Sequence, residues 1–298
     1  MSVFSNDTDV FDFTSLPIYQ QKAFYGALFA MAASDGEVAR EEMELIFETL
    51  ALDHLDESDR REIHGYVIDP PDFDTCISEL QEAKEDLRFG LMLNLIEVMI
   101  ADDILEESEK TLLENAQRKL GVNDEQAEAL KEFAYEAKRL RERGIDDQHA
   151  VDTLKRAAAG LSATGIPIGA VAVSGSVLGL SAAGVTSGLA ALGLGIGMVP
   201  GIGVAIAIGA GIYYGMNKLF DTGNKRKKEK LQKKRERKAQ LAIQNLQETI
   251  ATLIERLADL QKSAADAEAN KEAVRQLSQR LQKLKGLLSK RKRQMETA

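Results

Sequence analysis

The sequence ASDGEVAREE at residues 33–42 returns 67 residues later as IADDILEESE at residues 100–109. In both copies an apolar segment leads into an acidic turn, an apolar residue follows two or three positions later, and a glutamate stands seven positions after the aspartate. Apolar residues around the turns recur at intervals of three and four, and no sustained strand-like alternation is present. This spacing predicts amphipathic helices, so we expect an all-α fold with a duplicated helix–turn–helix unit.

Prolines and a capping pair predict further helix boundaries in the acidic part of the chain. Pro70 and Pro71 interrupt the stretch between the two copies of the repeat. Asn123 followed by Gln126 has the spacing of a helix cap, and the helix that it opens is expected to stop at Gly144.

Four carboxylates form the candidate site of the repeat, namely Asp35 with Glu42 and Asp102 with Glu109. Each copy has one carboxylate at the turn and another one or two turns into the following helix. Oxygen ligands of this kind suit a hard divalent cation such as calcium, although the twelve-residue ligand pattern of an EF-hand is missing. An alternative stays open, in which the aspartates accept hydrogen bonds from backbone donors and the glutamates stabilise the positive end of the next helix.

At these residues the chain resembles the TerB family of tellurite-resistance-associated domains, which carry two helix-Asp-Gly-x-apolar-x-x-x-Glu units in an all-helical fold. The DGEV sequence at 35–38 with Glu42 matches that pattern, whereas the second copy has Asp103 where the family usually has glycine. The resemblance covers residues 17–122. It implies divalent-cation binding on an acidic surface, membrane partners, a role in the response to chemical stress or phage, and no catalysed reaction.

Charge divides the chain into three parts. Residues 1–156 carry a net charge of −21, residues 157–217 contain no Asp, Glu, Lys or Arg, and residues 218–298 carry +12. A run of 61 uncharged residues in a chain that is 29% charged can hold two bilayer-spanning helices of about 20 residues each with a turn between them. The sequence therefore predicts a membrane segment between an acidic head and a basic tail.

Two candidate spans lie in the uncharged segment, on either side of a turn near Pro200. The second span, 201–217, is rich in isoleucine and has Tyr213 and Tyr214 near its end, as in an interfacial belt. The first span, 167–192, is dominated by small residues, and its glycines at intervals of four and five allow close helix packing. The alternatives are a glycine-rich core hairpin of a soluble protein and, because glycine has a poor helix propensity, a disordered segment or mobile loop.

Basic residues after the second span predict its orientation. Ten Lys or Arg residues lie between Lys225 and Lys238, and such clusters stay on the cytoplasmic side and suit anionic lipid headgroups. The acidic head has no recognisable export signal. We therefore expect both ends to face the cytoplasm at the inner membrane, with the uncharged segment entering and leaving the bilayer as a hairpin.

The tail has two sets of apolar positions with heptad spacing, which are typical of helices that pair. The sets are Ile243, Leu246, Ile250, Leu253, Leu257 and Leu260, then Val274, Leu277, Leu281, Leu284 and Leu288. The polar stretch 263–271 between them is either the tip of an antiparallel helical hairpin or a stutter in one long helix. A coiled coil that pairs with partner helices or in a homo-oligomer is expected. The basic lead-in lacks the aromatics and reader motifs of nucleic-acid-binding proteins, which argues against nucleic acid as a partner.

Catalytic motifs are not evident. The three histidines, His54, His64 and His149, are scattered, and Cys76 is the only cysteine, has no adjacent motif and cannot form an intramolecular disulfide. Glycines at 193, 195 and 197 follow no strand, so they do not form a dinucleotide fingerprint. We expect a non-enzymatic protein in which His64 and Cys76 pack helices.

These patterns predict an N-terminal arm (1–16), a TerB-like head (17–156), a membrane segment (157–217) and a coiled-coil tail (218–298). Two functions from different classes fit this organisation. One is a membrane-anchored sensor or scaffold whose head binds cations or partners while the tail oligomerises. The other is an effector that permeabilises membranes conditionally. We favour the anchor because it requires no trigger.

Overall fold

A computed structural model describes residues 13–36, 38–103, 106–143, 148–167, 170, 225–262 and 267–296. Within these ranges every regular element is helical and no strand is present, which confirms the all-α class. A 3-10 turn at Phe13–Ser15 precedes the α-helices. These are α1 (Ile18–Ala32), α2 (Arg40–Thr49), α3 (Glu57–Gly65), α4 (Phe73–Leu80), α5 (Glu85–Met99), α6 (Glu107–Lys119), α7 (Asp124–Arg143), α8 (Gln148–Ala163), α9 (Lys225–Lys262) and α10 (Ala267–Glu296).

The sequence repeat is also a repeat of helices. α5 begins and ends 67 residues after α1, and α6 begins 67 residues after α2. α1 and α5 are buried over most of their surface and pack against each other. A helix that is apolar almost all round belongs in a core, so this pair forms the centre of the head, and each of the two helices leads through an acidic turn into an outer helix.

Local sequence accounts for several helix boundaries. The Asn123 side chain accepts a 2.9 Å hydrogen bond from the Gln126 amide, and the Gln126 side chain accepts one of 3.1 Å from the Asn123 amide. α7 begins at the next residue, as this capping pair predicts. Gly121 and Gly165 follow the ends of α6 and α8 with φ values of 68° and 79°, the left-handed conformation in which glycine commonly ends a helix. The two adjacent prolines lie between α3 and α4, as expected.

α7 and α8 pack against each other. α8 extends to Ala163, beyond residue 156, where the change in charge placed the end of the head. Ala157, Ala158, Leu161, Ile166 and Ala170 are buried in the apolar core. The first residues of the uncharged segment thus form the end of α8 and the residues after it, and they pack on protein. Absence of charge accompanies burial in a protein core as well as in a bilayer, so the sequence alone did not separate the two environments here.

The remainder of the predicted membrane segment, including nearly all of the span at 167–192 and the whole of 201–217, lies outside the described residues. Among the helices that the structure does describe, none combines the length and the apolar character needed to cross a bilayer. The membrane segment therefore stays a prediction.

The tail helices α9 and α10 pack along each other and also against α2 of the head, and α9 contacts α3. Residues 263–266, which separate the two helices, lie outside the described residues, so the choice between a helical hairpin and a stutter stays a prediction. The buried leucines and isoleucine of the pair are Leu246, Ile250, Leu253, Leu277, Leu284 and Leu287. All but the last belong to the heptad-spaced sets, so these positions are used within the chain.

Candidate cation-binding centre

Both acidic turns contain a residue with left-handed backbone conformation at the equivalent position. Gly36 has a φ of 89° in the first turn, and Asp103 has a φ of 67° at the equivalent position of the second. Left-handed backbone favours glycine, and aspartate is among the side chains that tolerate it best. The departure from the family pattern at Asp103 therefore leaves the handedness of the second turn unchanged.

Each glutamate of the repeat caps the helix that follows its turn. Glu42 Oε2 accepts a 2.7 Å hydrogen bond from the Ala39 amide at the start of α2, and Glu109 Oε2 accepts a longer one of 3.4 Å from the Glu106 amide at the start of α6. This is the reciprocal contact of a capping box. The glutamates thus lie at the positive ends of the following helices, as the part of the alternative that concerns them predicts, and both are buried, at 5% and 4% exposure.

Glu42 and Glu109 also hydrogen-bond to each other, which joins the two copies of the repeat. Two carboxylates repel unless one carries a proton, so this contact requires a shared proton or a neutralising cation. Burial raises the pKa of Glu42 to about 9, opposed by the hydrogen bond from Ala39 and assisted by the charges of Glu109 and Asp102. The pKa of Glu109 is also raised, chiefly by burial.

Each aspartate affects the pKa of the glutamate in the other copy of the repeat. Asp102 in the second turn raises the pKa of Glu42 as well as that of Glu109, and Asp35 in the first turn raises the pKa of Glu109. The sequence motif pairs each aspartate with the glutamate of its own copy. The structure adds interactions between the copies, and we refer to these four carboxyl groups as the carboxyl centre.

Two lysines from outside the repeat contact its turns. Lys138 on α7 donates to the Ile100 carbonyl and forms a 2.5 Å ion pair with Asp103. Lys283 on α10 donates a 2.6 Å hydrogen bond to the Val38 carbonyl, between the first turn and α2. The second turn is therefore held by the head, and the first by the tail. The sequence does not predict the contacts of either lysine, because no local pattern links residues this far apart.

The donor chemistry of the carboxyl centre fits a divalent cation, since carboxylate oxygens are the ligands that calcium prefers. In the part of the chain that the structure describes, no three Asp, Glu, His or Cys side chains converge closely enough to hold a metal ion. Residues 37 and 104–105, which adjoin the turns, lie outside that part. The fit to a cation thus rests on the paired glutamates and on the negative charge around them.

Cys76 and His64, which the sequence predicts to pack helices, are both buried. Burial raises the pKa of the Cys76 thiol to about 12, so the thiol stays protonated near neutral pH. His64 lies between the head and the tail, with Nδ1 2.8 Å from Thr249 Oγ1 and Nε2 3.1 Å from Glu248 Oε2. Burial lowers the pKa of His64, against the effect of Glu248.

The fold and the carboxyl centre define an all-helical protein with a duplicated acidic helix–turn–helix unit. Comparison of the chain with protein-family models, with characterised proteins and with solved structures finds no match. The resemblance to TerB domains therefore rests on the sequence motif alone.

Proposed function

We propose that this protein is a membrane-associated, non-enzymatic sensor or scaffold whose TerB-like head binds a divalent cation or a partner. The contact between Glu42 and Glu109 carries the proposal. Bringing two buried carboxyl groups together is unfavourable unless positive charge is supplied, so the head responds to whatever supplies it. Asp35 and Asp102 add negative charge around the pair and increase the attraction for a cation.

Calcium is the cation that we propose, because the centre offers oxygen ligands alone. In the absence of metal a proton neutralises the glutamate pair. Calcium would compete with that proton, so its affinity should rise with pH and its binding should release protons into solution. This competition makes the head a sensor of cation concentration within a limited pH range.

We expect calcium to bind the full-length protein with a Kd on the order of 10⁻⁴ M, as in sites with few ligands. Glu42→Gln combined with Glu109→Gln should remove the calorimetric heat of binding, because both central carboxylates are lost. The control is Glu41→Gln with Glu114→Gln, which changes two exposed carboxylates on the same two helices. Heat that persists in the first variant, or disappears equally in the control, would place calcium elsewhere.

The anchor part of the proposal rests on the uncharged segment and on the basic residues that follow it. Membrane lipid is the partner of that segment at the cytoplasmic face of the inner membrane, and anionic headgroups are the partner of the basic run. The coiled-coil tail pairs helices, either within the chain or, once it is released from the head, in a homo-oligomer. Through its resemblance to TerB domains the protein is assigned to a stress or phage-defence response, including resistance to tellurite.

A second candidate function is a conditional membrane-permeabilising effector, and the docking of α9 and α10 on the head favours it. A tail that covers the head could withhold a membrane-active segment until it is released. We expect the anchor to be the correct function, so the protein should release no more dye from phosphatidylglycerol-containing vesicles than the variant lacking residues 171–217. Dye leakage that requires residues 171–217 would replace the anchor with the effector.

A further inference from the structure

Ion pairs hold the end of α10 against α2. Glu44 lies 2.7 Å from Lys290 and 3.3 Å from Arg291, and Arg291 also pairs with Glu48. The side chains of Arg291 and Glu48 are only 16% and 14% exposed, so solvent screens this pair less than it screens a surface pair. The acidic face of α2 and the basic end of the tail are therefore complementary in charge.

Polar side chains of the tail also donate hydrogen bonds to backbone carbonyls at or just after helix ends of the head. Arg280 donates hydrogen bonds of 2.6 and 2.9 Å to the carbonyls of Val67 and Ile68, which follow α3. Asn245 donates a 3.3 Å hydrogen bond to the carbonyl of Leu50, the C-cap of α2. Carbonyls at a helix C-terminus lack partners within the helix and carry partial negative charge, so a guanidinium or an amide stabilises them. Water can take over this role when the tail is absent.

The middle of α9 covers His64. This side chain is 2% exposed and lies between Thr249 and Glu248, and Glu248 is also 3.7 Å from Arg60 on α3. The charged groups that face His64 are therefore Glu248 from the tail and Arg60 from its own helix. His64 is thus a reporter of the docked state, because undocking would expose its ring.

We propose that the α9–α10 pair is an autoinhibitory latch, docked on α2 and α3 by these contacts, that keeps the tail from pairing with a second copy of the chain. The tail packs on the outer helices α2 and α3, whereas α1 and α5 pack against each other at the centre of the head, so we expect the latch to open at a smaller cost in free energy than unfolding of the head. In the closed form the apolar positions Leu246 and Ile250 are buried within the chain. The proposal builds on the proposed self-pairing of the tail and is independent of cation binding.

The latch is tested by modifying histidines with diethylpyrocarbonate in the full-length protein in dodecyl maltoside, with mass spectrometry to locate the product. His54 is exposed and serves as the internal reference, whereas His64 is covered by the tail. In the wild-type protein we expect His64 to react at least about tenfold more slowly than His54, because it must wait for opening. Equal rates for the two histidines would show that the tail is not docked.

Charge reversal identifies the contacts that hold the latch closed. Glu44→Lys with Glu48→Lys should raise the His64 rate at least about tenfold and increase the mass of the protein component measured by light scattering. Adding Lys290→Glu with Arg291→Glu should restore both the slow rate and the monomer mass, which a misfolded head would not do. The control is Glu41→Lys with Glu114→Lys, which reverses two exposed charges. Unchanged protection in the reversed variant, failure of the restoring pair, or a monomer with a reactive His64 would overturn the proposal.

Discussion

Glu42→Gln is expected to stabilise the head by about 2–3 kcal/mol at pH 8 and to change its stability little at pH 5. The pKa of Glu42 is raised to about 9 in the folded chain, chiefly by burial. A carboxyl group with a raised pKa contributes its full stability below its unfolded pKa and loses that stability as the pH rises toward its folded pKa. The window for Glu42 therefore runs from about pH 4.5 to about pH 9.

Glutamine reproduces the protonated carboxyl group at this position. Its carbonyl can accept the hydrogen bond from the Ala39 amide, its NH₂ can donate to Glu109, and it cannot ionise. The variant should therefore show a smaller loss of stability between pH 5 and pH 8 than the wild-type protein. We expect a smaller gain in the free energy of unfolding than the pKa shift of Glu42 alone would give. The reason is that Glu109 shares the proton, and its own protonation changes when Glu42 is replaced.

Urea unfolding of the full-length protein in dodecyl maltoside and EDTA, followed by helical circular dichroism, measures this effect. Glu41→Gln removes an exposed carboxylate from the same helix and should leave the pH dependence unchanged. A Glu42→Gln variant that is less stable than the wild-type protein at pH 8 would mean that an ionised Glu42 caps α2 and that the glutamate pair shares no proton.

Short-range patterns predicted the helices of the head well, because the forces that start and end a helix act within a few residues. The capping pair at Asn123 and Gln126 opens α7, and the 67-residue repeat reappears as two helix pairs with matching starts. The same motif located Glu42 and Glu109. It did not reveal that the two glutamates meet, since their contact depends on how α1 packs against α5.

Sequence periodicity does not predict the contacts between head and tail. Leucines with heptad spacing indicate that a helix needs a partner, but they do not say whether the partner is a second chain or the head of the same chain. Here the polar residues indicate that the tail pairs with the head of the same chain, because Asn245 and Thr249 on α9 contact the Leu50 carbonyl and His64. These pairs are 195 and 185 residues apart, with no local signal between them.

The docked tail bears on how the uncharged segment would sit in a membrane. His64 precedes that segment in the chain and Glu248 follows it, yet the two side chains are 3.1 Å apart. Groups on opposite faces of a hydrocarbon core about 30 Å thick cannot meet in this way. If the uncharged segment enters a bilayer, the chain has to return to the side from which it entered, which requires an even number of crossings. At about 20 residues per span, residues 171–217 accommodate two crossings but not four.

We accordingly expect head and tail to lie on the cytoplasmic side, with the turn near Pro200 reaching the opposite face. With Cys76→Ala as the background, single cysteines are introduced as Ser2→Cys, Val199→Cys or Ala298→Cys, and spheroplasts are treated with a membrane-impermeant maleimide. Only the cysteine at 199 should react before permeabilisation, because the positive charge between Lys225 and Lys238 resists translocation and the head is docked beside the tail. The background chain without added cysteine gives the blank. Reaction at position 2 or 298 in intact spheroplasts would contradict the hairpin topology, and protection of all three positions would show that the segment does not cross the membrane.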